Sequence, residues 1–429
     1  MLLAILLTRN RVLIVIGGVI VAGIFSFNAH GGLKPLSPSS WSGDVVLVSD
    51  PVTFPGRLVV DVDTSQGRMQ MTASGAASRP LRGATAGTVL EVRGRTRALK
   101  NPERLASRHI RMSLMATEVS RVNTTALWRL PVDAVRSTVL RGSEVLPEDQ
   151  QPVYAGFVIG DDRGSDPRVT KAFEDAGLSH LLVVSGQNVV FVMAVFSPAL
   201  ARLGRRSRSI SLVAILLLFA AVTRFEPSVL RATTMAMFAI LGAGAGRKLN
   251  GRVRLALAVA VLVLIDPLLI SSFGFRLSVA ATAGIALFAH PIASRLRGPV
   301  IVRQVLSVTI AAQLAVAPFI VPVFGPMPLA ALPANVLAEP VAGLVMMWGS
   351  SVGIVAGTLG GWPALVLQLP AMIGVWWIMQ VAEFSSNLPL PHLGLIEMAV
   401  VAALTTGGIW SGSLWRIRRQ SLRSNEVSG

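Results

Sequence analysis

The stretch AGLSHLLVVSGQNVVFVMAVF, from Ala176 to Phe196, is apolar enough along its length to enter a bilayer, yet it carries Ser185, Gly186, Gln187 and Asn188 at its centre. In hydrocarbon each unsatisfied polar or backbone group costs several kcal/mol. The cluster therefore either packs against other helices or faces water. On the first reading Ser185 and Gly186 let two helices approach closely, with Gln187 and Asn188 bonding across the contact. On the second the segment is a broken or re-entrant span lining a translocation path, with His180 just ahead of the polar residues.

The composition around this stretch is that of a polytopic membrane protein. Of 429 residues 52% are hydrophobic and 14% charged, and the mean hydropathy is +0.63. A water-soluble chain so built could not cover its surface with polar groups. Cysteine is absent, which excludes disulfides, thiolate metal sites and cysteine nucleophiles. The formal net charge of +17 has two candidate sources. Cytoplasmic loops of membrane proteins are rich in Lys and Arg, and a polyanionic partner also favours a basic chain.

Residues 1–28 read as an N-terminal transmembrane helix, with the apolar run Val12 to Phe27 behind Arg9 and Arg11 and no small-residue cleavage site after it. Residues 29–123 change character. After a Gly/Pro/Ser linker, short alternating apolar runs punctuated by Gly, Pro, Asn and Asp predict about five strands: Asp44–Val48, Gly56–Asp63, Gly67–Thr72, Gly87–Arg97 and His109–Val122. Such a set suits a small closed β-barrel of the OB type. Between Trp41 and Val122 stand twelve Lys/Arg against seven Asp/Glu, with Trp41 and Phe54 the only Phe, Trp or Tyr residues. A nucleic-acid-gripping OB barrel pairs its basic groove with stacking platforms, so a structural or gating barrel is favoured over a tight grip.

Residues 124–180 read as an amphipathic helix and a polar loop at the outer membrane surface. Leu127, Leu130, Val135, Val139 and Leu140 oppose Arg129, Asp133, Arg136 and Arg141 at helical spacing. Residues 181–415 form the membrane domain, with apolar segments centred near 192, 217, 237, 262, 282, 314, 350, 374 and 403, and residues 416–429 a basic cytoplasmic tail. Basic clusters fall at Arg202–Arg208, Arg247–Arg254, Arg295–Arg303 and Arg416–Arg419. About ten spans, with both termini in the cytoplasm, place all four clusters inside. The expected fold is a polytopic α-helical membrane protein of about ten spans with a small extracytoplasmic OB-like β-barrel.

Three cations break that order. Arg224, Arg231 and Arg276 fall on the predicted outer side. Intramembrane charges are functional candidates: either an ion pair with Glu226 or Asp266 fixes helix packing, or the cations ring an outward mouth that attracts an anion. Gln313 is a lone amide near mid-span. Asn335 and Glu339 lie between Pro328, Pro333 and Pro340, where the prolines predict a broken or re-entrant segment. Asp161, Asp162, Glu174 and Asp175 invite a metal reading, but no metal-ligand spacing surrounds them. Gly242–Lys248 lacks the spacing of a phosphate loop, and no hydrolytic motif occurs, so no catalytic, metal or cofactor residue is assigned.

The segment His180–Val189, HLLVVSGQNV, closely resembles the His-Leu-Leu-Ala-Val-Ser-Gly-x-His/Asn-Val signature of the ComEC competence-protein family, membrane channels that pass transforming DNA into bacteria. Val158–Asp161 resembles its Leu-x-Gly-Asp, with Gly160 and Asp161 as an outer-loop motif, and Pro227–Ala232 its Pro-Ser-x-x-Arg-Ala. Asp266-Pro267 with Gly274–Ser278 resembles its Asp-Pro…Gly-Phe-Gln-Leu-Ser block. Gln313 with Pro318, Asn335 with Pro340, and Asn101-Pro102 resemble further elements, so the likeness runs over residues 40–340. Asn188 stands where many members have His, and Arg276 where many have Gln. The metallo-β-lactamase-like domain of many members does not follow Arg419 in this chain, so strand degradation is expected elsewhere.

The resemblance implies an inner-membrane channel for single-stranded DNA. His180, Ser185, Gly186, Gln187, Asn188, Gln313, Asn335 and Glu339 would line its path, and Arg224, Arg231 and Arg276 would meet phosphates at the outer mouth. It implies single-stranded DNA and membrane lipid as partners, a receptor or pilus outside, and an ATP-driven translocase and single-strand-binding proteins inside. Homo-oligomerisation stays open. The alternative is a transporter or scaffold for another anion, such as a lipid or polymer precursor. A third reading is a metal-dependent membrane nuclease built on the four carboxylates.

Overall fold

Alternation of apolar and polar residues from Ser40 onward produces strands with one buried face each. They are β1 (Ser40–Leu47), β2 (Val52–Phe54), β3 (Arg57–Thr64), β4 (Gly67–Ser74), β5 (Val89–Arg97) and β6 (Met112–Val122). The structure, a computed structural model, describes residues 38–394 apart from 100 and 123–128, together with 396 and 397. The predicted helix of residues 12–27, the span near 403 and the basic tail lie outside the described residues.

Five of the strands close into a barrel in the order β1-β5-β6-β4-β3, with β3 returning to β1 at Val46 and Leu47. Only β4 and β6 run parallel, and β2 adds a hairpin to β3. Val45, Val60, Val62, Met69, Met71 and Leu90 fill the interior, each at most 1% exposed. Trp41 joins them at 6% exposure, so this ring is core and offers no stacking face. The expected strand at His109 begins instead at Met112. Pro102 and the residues after it form short helical turns up to Arg108, Pro being suited to a first turn.

Asp61 points outward from β3 but is covered to 4% exposure, with Arg108 bound to one carboxylate oxygen and no hydrogen-bond partner on the other. Burial lifts its carboxyl above the usual 3.8, against the opposing pull of Arg108. The folded state therefore holds this proton more tightly than the unfolded chain. The contribution grows as pH falls through the raised value and levels off below the ordinary one. Asp61→Asn should remove that rise from the pH profile of thermal unfolding; a profile identical to wild type would refute the assignment.

The helices follow in chain order: α1 (Leu130–Ser143), α2 (Gln151–Ile159), α3 (Pro167–Asp175), α4 (Ser179–Leu182), α5 (Gly186–Ala199), α6 (Arg205–Val222), α7 (Pro227–Gly244) and α8 (Gly251–Ile265). Then come α9 (Phe273–Ala293), α10 (Val300–Phe324), α11 (Ala331–Gly349), α12 (Val352–Leu359) and α13 (Gly361–Ser386). The chain divides into two compact units. One holds the residues up to Gly142 with Gly186–Arg276, and the other Ser143–Ser185 with the chain from Leu277 onward. In the first, α7 packs against α5, α6 and α8. In the second, α11 and α13 lie side by side with α2 packed on both. A Cβ at Gly374 of α13 would come within 2.5 Å of Val345 on α11, so glycine permits their close approach.

Four helices are long and apolar enough to cross a membrane: α9 with 21 residues, α10 with 25, α11 with 19 and α13 with 26. The 14 residues of α5 reach about 21 Å, short of the hydrocarbon thickness. Three sequence expectations change. The proline-rich segment is not broken, because α11 runs through it. Pro333 lies in the first turn, where no intrahelical donor is missed, and Pro340 removes a single bond. The span placed near 350 is α11 itself; the break comes after it, at Ser350-Ser351 and the eight-residue α12. The polar loop expected after residue 150 contains α2, whose Val153–Ile159 are all buried.

Candidate functional site

Within the first unit the helical chain begins afresh at Gly186, so Gly186, Gln187 and Asn188 form the first turn of α5. A helix N-terminus carries about half a positive charge on its free N–H groups. Against this turn lies Arg231 of α7, itself 7% exposed. A Cβ at Gly186 would stand 2.5 Å from Arg231 Nη2 and 3.0 Å from the Cβ of Ala232. Glycine is thus what lets a buried guanidinium reach the end of α5. Arg231 Nη1 also donates to Met235 Sδ at 3.2 Å. Asn188 is buried at 3% exposure on the same turn. A guanidinium and a helix N-terminus both carry positive charge, and Arg231, Gln187 and Asn188 each have further partners within the chain.

Arg224 and Phe225, between α6 and α7, hold φ of 59° and 55°. Left-handed backbone costs a non-glycine residue about 1–2 kcal/mol. Arg224 is held there by an ion pair with Asp50, in the loop between β1 and β2. Asp50 is 3% exposed and also accepts from the backbone N–H of Ala86 at 2.8 Å. Arg136 of α1 stands 3.7 Å from the same carboxylate and donates to the carbonyl of Val222 at 2.7 Å. Its placement on a solvated face of α1 is therefore corrected: at 6% exposure Arg136 is a buried tie, because Asp50 and a helix-end carbonyl share its charge. Below, His109 Nε2 is 3.0 Å from Asp266 Oδ2, and the other oxygen of Asp266 accepts from Leu268 N at 3.0 Å. Asp266 thus partners the barrel and its own turn. Arg276 is exposed, its guanidinium 5.6 Å from the Phe273 ring centre. The three outer arginines occupy three different environments: buried, clasped and exposed.

In the second unit Gly160 ends α2 in the left-handed conformation, φ 68°, and a Cβ there would be 2.6 Å from Val184 Cγ2. Asp161, 3% exposed, is gripped by Arg163 through two bonds of 2.6 Å. The Gly-Asp pair is therefore a turn and a clamp. His180 is exposed on α4, and Ser185 is half-buried in the non-helical link after it. Asn335, 3% exposed, donates to the Ala331 carbonyl at 2.7 Å, and half-buried Glu339 lies one turn further along α11. Gln313 is half-buried in α10. Asp175 pairs with Lys171 at 3.1 Å, and no group of three or more His, Asp or Glu converges at metal-binding spacing among the described residues.

Sequence reasoning missed two features. Gln368 of α13 donates to the Tyr154 hydroxyl of α2 at 2.9 Å, both residues being almost fully buried. The signal was the chain's only tyrosine, set in an apolar run. The other is Asp50, an unremarkable loop aspartate in sequence.

No solved structure matches the chain. ComE operon protein 3 of Bacillus subtilis (strain 168) is 26% identical over 275 residues, covering 63% of this chain and 34% of that protein. The matched region thus spans about a third of that relative's length. The competence-protein family matches residues 157–419, beginning after the barrel and extending past the resemblance expected to end at 340. With more than half its length matched, the chain belongs to the competence-protein family.

Proposed function

We propose that this chain conducts single-stranded DNA across the bacterial cytoplasmic membrane during natural transformation. The observation that carries the reading is Arg231, buried against the N-terminal turn of α5 at Gly186. That junction attracts an anion through charge and backbone donors with no base to read, which suits a conduit for any sequence. Orientation is supported by the first unit. Arg202–Arg208 and Arg247–Arg254 lie at one set of helix ends, whereas the barrel is tied by Asp50 and His109 to the α6–α7 turn and the end of α8. The positive-inside rule then puts the basic ends in the cytoplasm and the barrel outside. Counting α5, which is shorter than a full span, with α6–α11, α13 and the two apolar segments that the sequence predicts at residues 12–27 and near 403 gives about ten spans. Force comes from an ATP-driven translocase inside, with single-strand-binding proteins receiving the strand and a receptor or pilus supplying it. The chemistry assigned to the chain is conduction and not hydrolysis.

The test is uptake of labelled DNA by a deletion strain carrying wild type, Arg231→Ala or Arg231→Lys, with membrane abundance matched. Arg231→Ala should internalise no more label than the deletion strain while surface-bound label persists, and Arg231→Lys should recover part of it. A deletion strain that still internalises DNA would overturn the conduit and favour another anion as substrate.

A further inference from the structure

Charge on the barrel is distributed by strand. β5 buries every second residue, leaving Glu91, Arg93, Arg95 and Arg97 exposed in a row. Alternate strand residues lie about 6.6–6.8 Å apart, close to one extended phosphodiester repeat. Ser42 and Ser40 of β1 face Arg93 and Arg95, and Met115 and Ser113 of β6 face Arg95 and Arg97, whereas Glu118 faces Arg93 and Asp44 faces Glu91 at the other end of the row. Arg93 is 3.6 Å from Glu118, but both side chains are more than 60% exposed, so the pair is weak. Arg95 and Arg97 have no acidic partner among the described residues.

The surface that an OB barrel ordinarily offers to oligonucleotides, its second and third strands with two adjoining loops, is engaged differently here. Those strands are β3 and β4, whose outward Asp61 and Asp63 are bound by Arg108 and Arg68. The loop after β1 is tied to the α6–α7 turn by Asp50, and the loop before β6 to Asp266 by His109. Open positive charge lies instead at the Arg95–Arg97 end of the β1–β5–β6 face, where the facing residues are Ser40, Met115 and Ser113.

The geometry points to Arg95 and Arg97 as a backbone track for single-stranded DNA at that end of the face. It takes successive phosphates and stacks no base, since Trp41 is in the core. The inference rests on the conduit reading and adds where the strand is held before it reaches the helices. Binding follows counterion release, with log K falling about 0.7 per phosphate contact per decade of salt for single strands.

The experiment measures anisotropy of labelled oligothymidylate on the full chain purified in detergent, across a salt series. Arg95→Gln with Arg97→Gln should weaken binding several-fold and flatten the log–log salt slope by about 1.4, two contacts' worth. Arg79→Gln with Arg82→Gln removes the same charge from exposed barrel positions off the track and should leave the slope unchanged. Equal losses in both pairs would reduce the effect to net charge and overturn the track, as would an unchanged slope in the first pair. Full competition by polyglutamate of equal charge would overturn the assignment to a phosphodiester. Retained binding with lost uptake in Arg231→Ala would leave the track standing, whereas a deletion strain that still internalises DNA would remove the conduit alone.

Discussion

Asp50→Ala unfastens the barrel from the α6–α7 turn and lowers the stability of the first unit by about 3–5 kcal/mol, the usual loss when one partner leaves a buried charge cluster. The carboxylate is 3% exposed and gathers Arg224, Arg136 and the Ala86 N–H. Its removal leaves two guanidinium groups of opposing position but like charge close together in a poorly solvated place. It also releases the left-handed Arg224 and Phe225, which have lost what held them. Asp50→Asn keeps an acceptor for Ala86 and should fall between. Arg224→Ala in the Asp50→Ala background should add little, because the two act as a unit. The measurement is thermal unfolding of purified variants beside protease cleavage of the barrel. A wild-type melt for Asp50→Ala would show the cluster to be incidental. The same series separates roles: Arg224 acts through Asp50 if Arg224→Ala lowers the melt, and as a free phosphate contact if only uptake falls.

Gly186→Leu should abolish uptake at least as completely as Arg231→Ala while leaving the protein in the membrane. The Cβ alone would lie 2.5 Å from Arg231 Nη2 and 3.0 Å from Ala232 Cβ, so the larger side chain expels the guanidinium from the end of α5. Leucine is the better helix former by nearly 1 kcal/mol, so a weakened α5 cannot explain the loss. The strain itself is about 1–3 kcal/mol. Gly186→Ala is the milder case, since an arginine tip can swing aside, and Ala232→Gly should restore part of its uptake by removing the second close atom. Normal uptake in Gly186→Leu would separate this junction from the path.

Several local features were legible because their causes are local. Alternation marked the barrel strands to within a few residues, whereas Gly160 and Asp161 were marked by the resemblance of Val158–Asp161 to the family's Leu-x-Gly-Asp. The polar residues after Val184 announced an interruption, and the chain is indeed non-helical just before Gly186. Proline misled at residues 328–340, because its cost depends on position within the turn, and α11 places Pro333 where that cost vanishes. Amphipathic spacing misplaced Arg136, since a helical wheel separates polar from apolar residues but not a solvated arginine from one bound to a distant carboxylate. Tyr154 and Gln368 are 214 residues apart, and no window of sequence holds both.

By itself the sequence determined that this is a basic, cysteine-free membrane protein with a small β domain before its helices, because hydropathy and period-two alternation are summed over neighbouring residues. It also singled out Ser185–Asn188 and Arg231. Only the tertiary structure decided that Arg231 meets Gly186 at a helix end, that Arg224 belongs to Asp50, and that the open arginines of the barrel lie along β5. Those pairings join residues far apart in the chain. Which charge finds which partner depends on burial and close approach, and both exist only after the strands close and the helices pack.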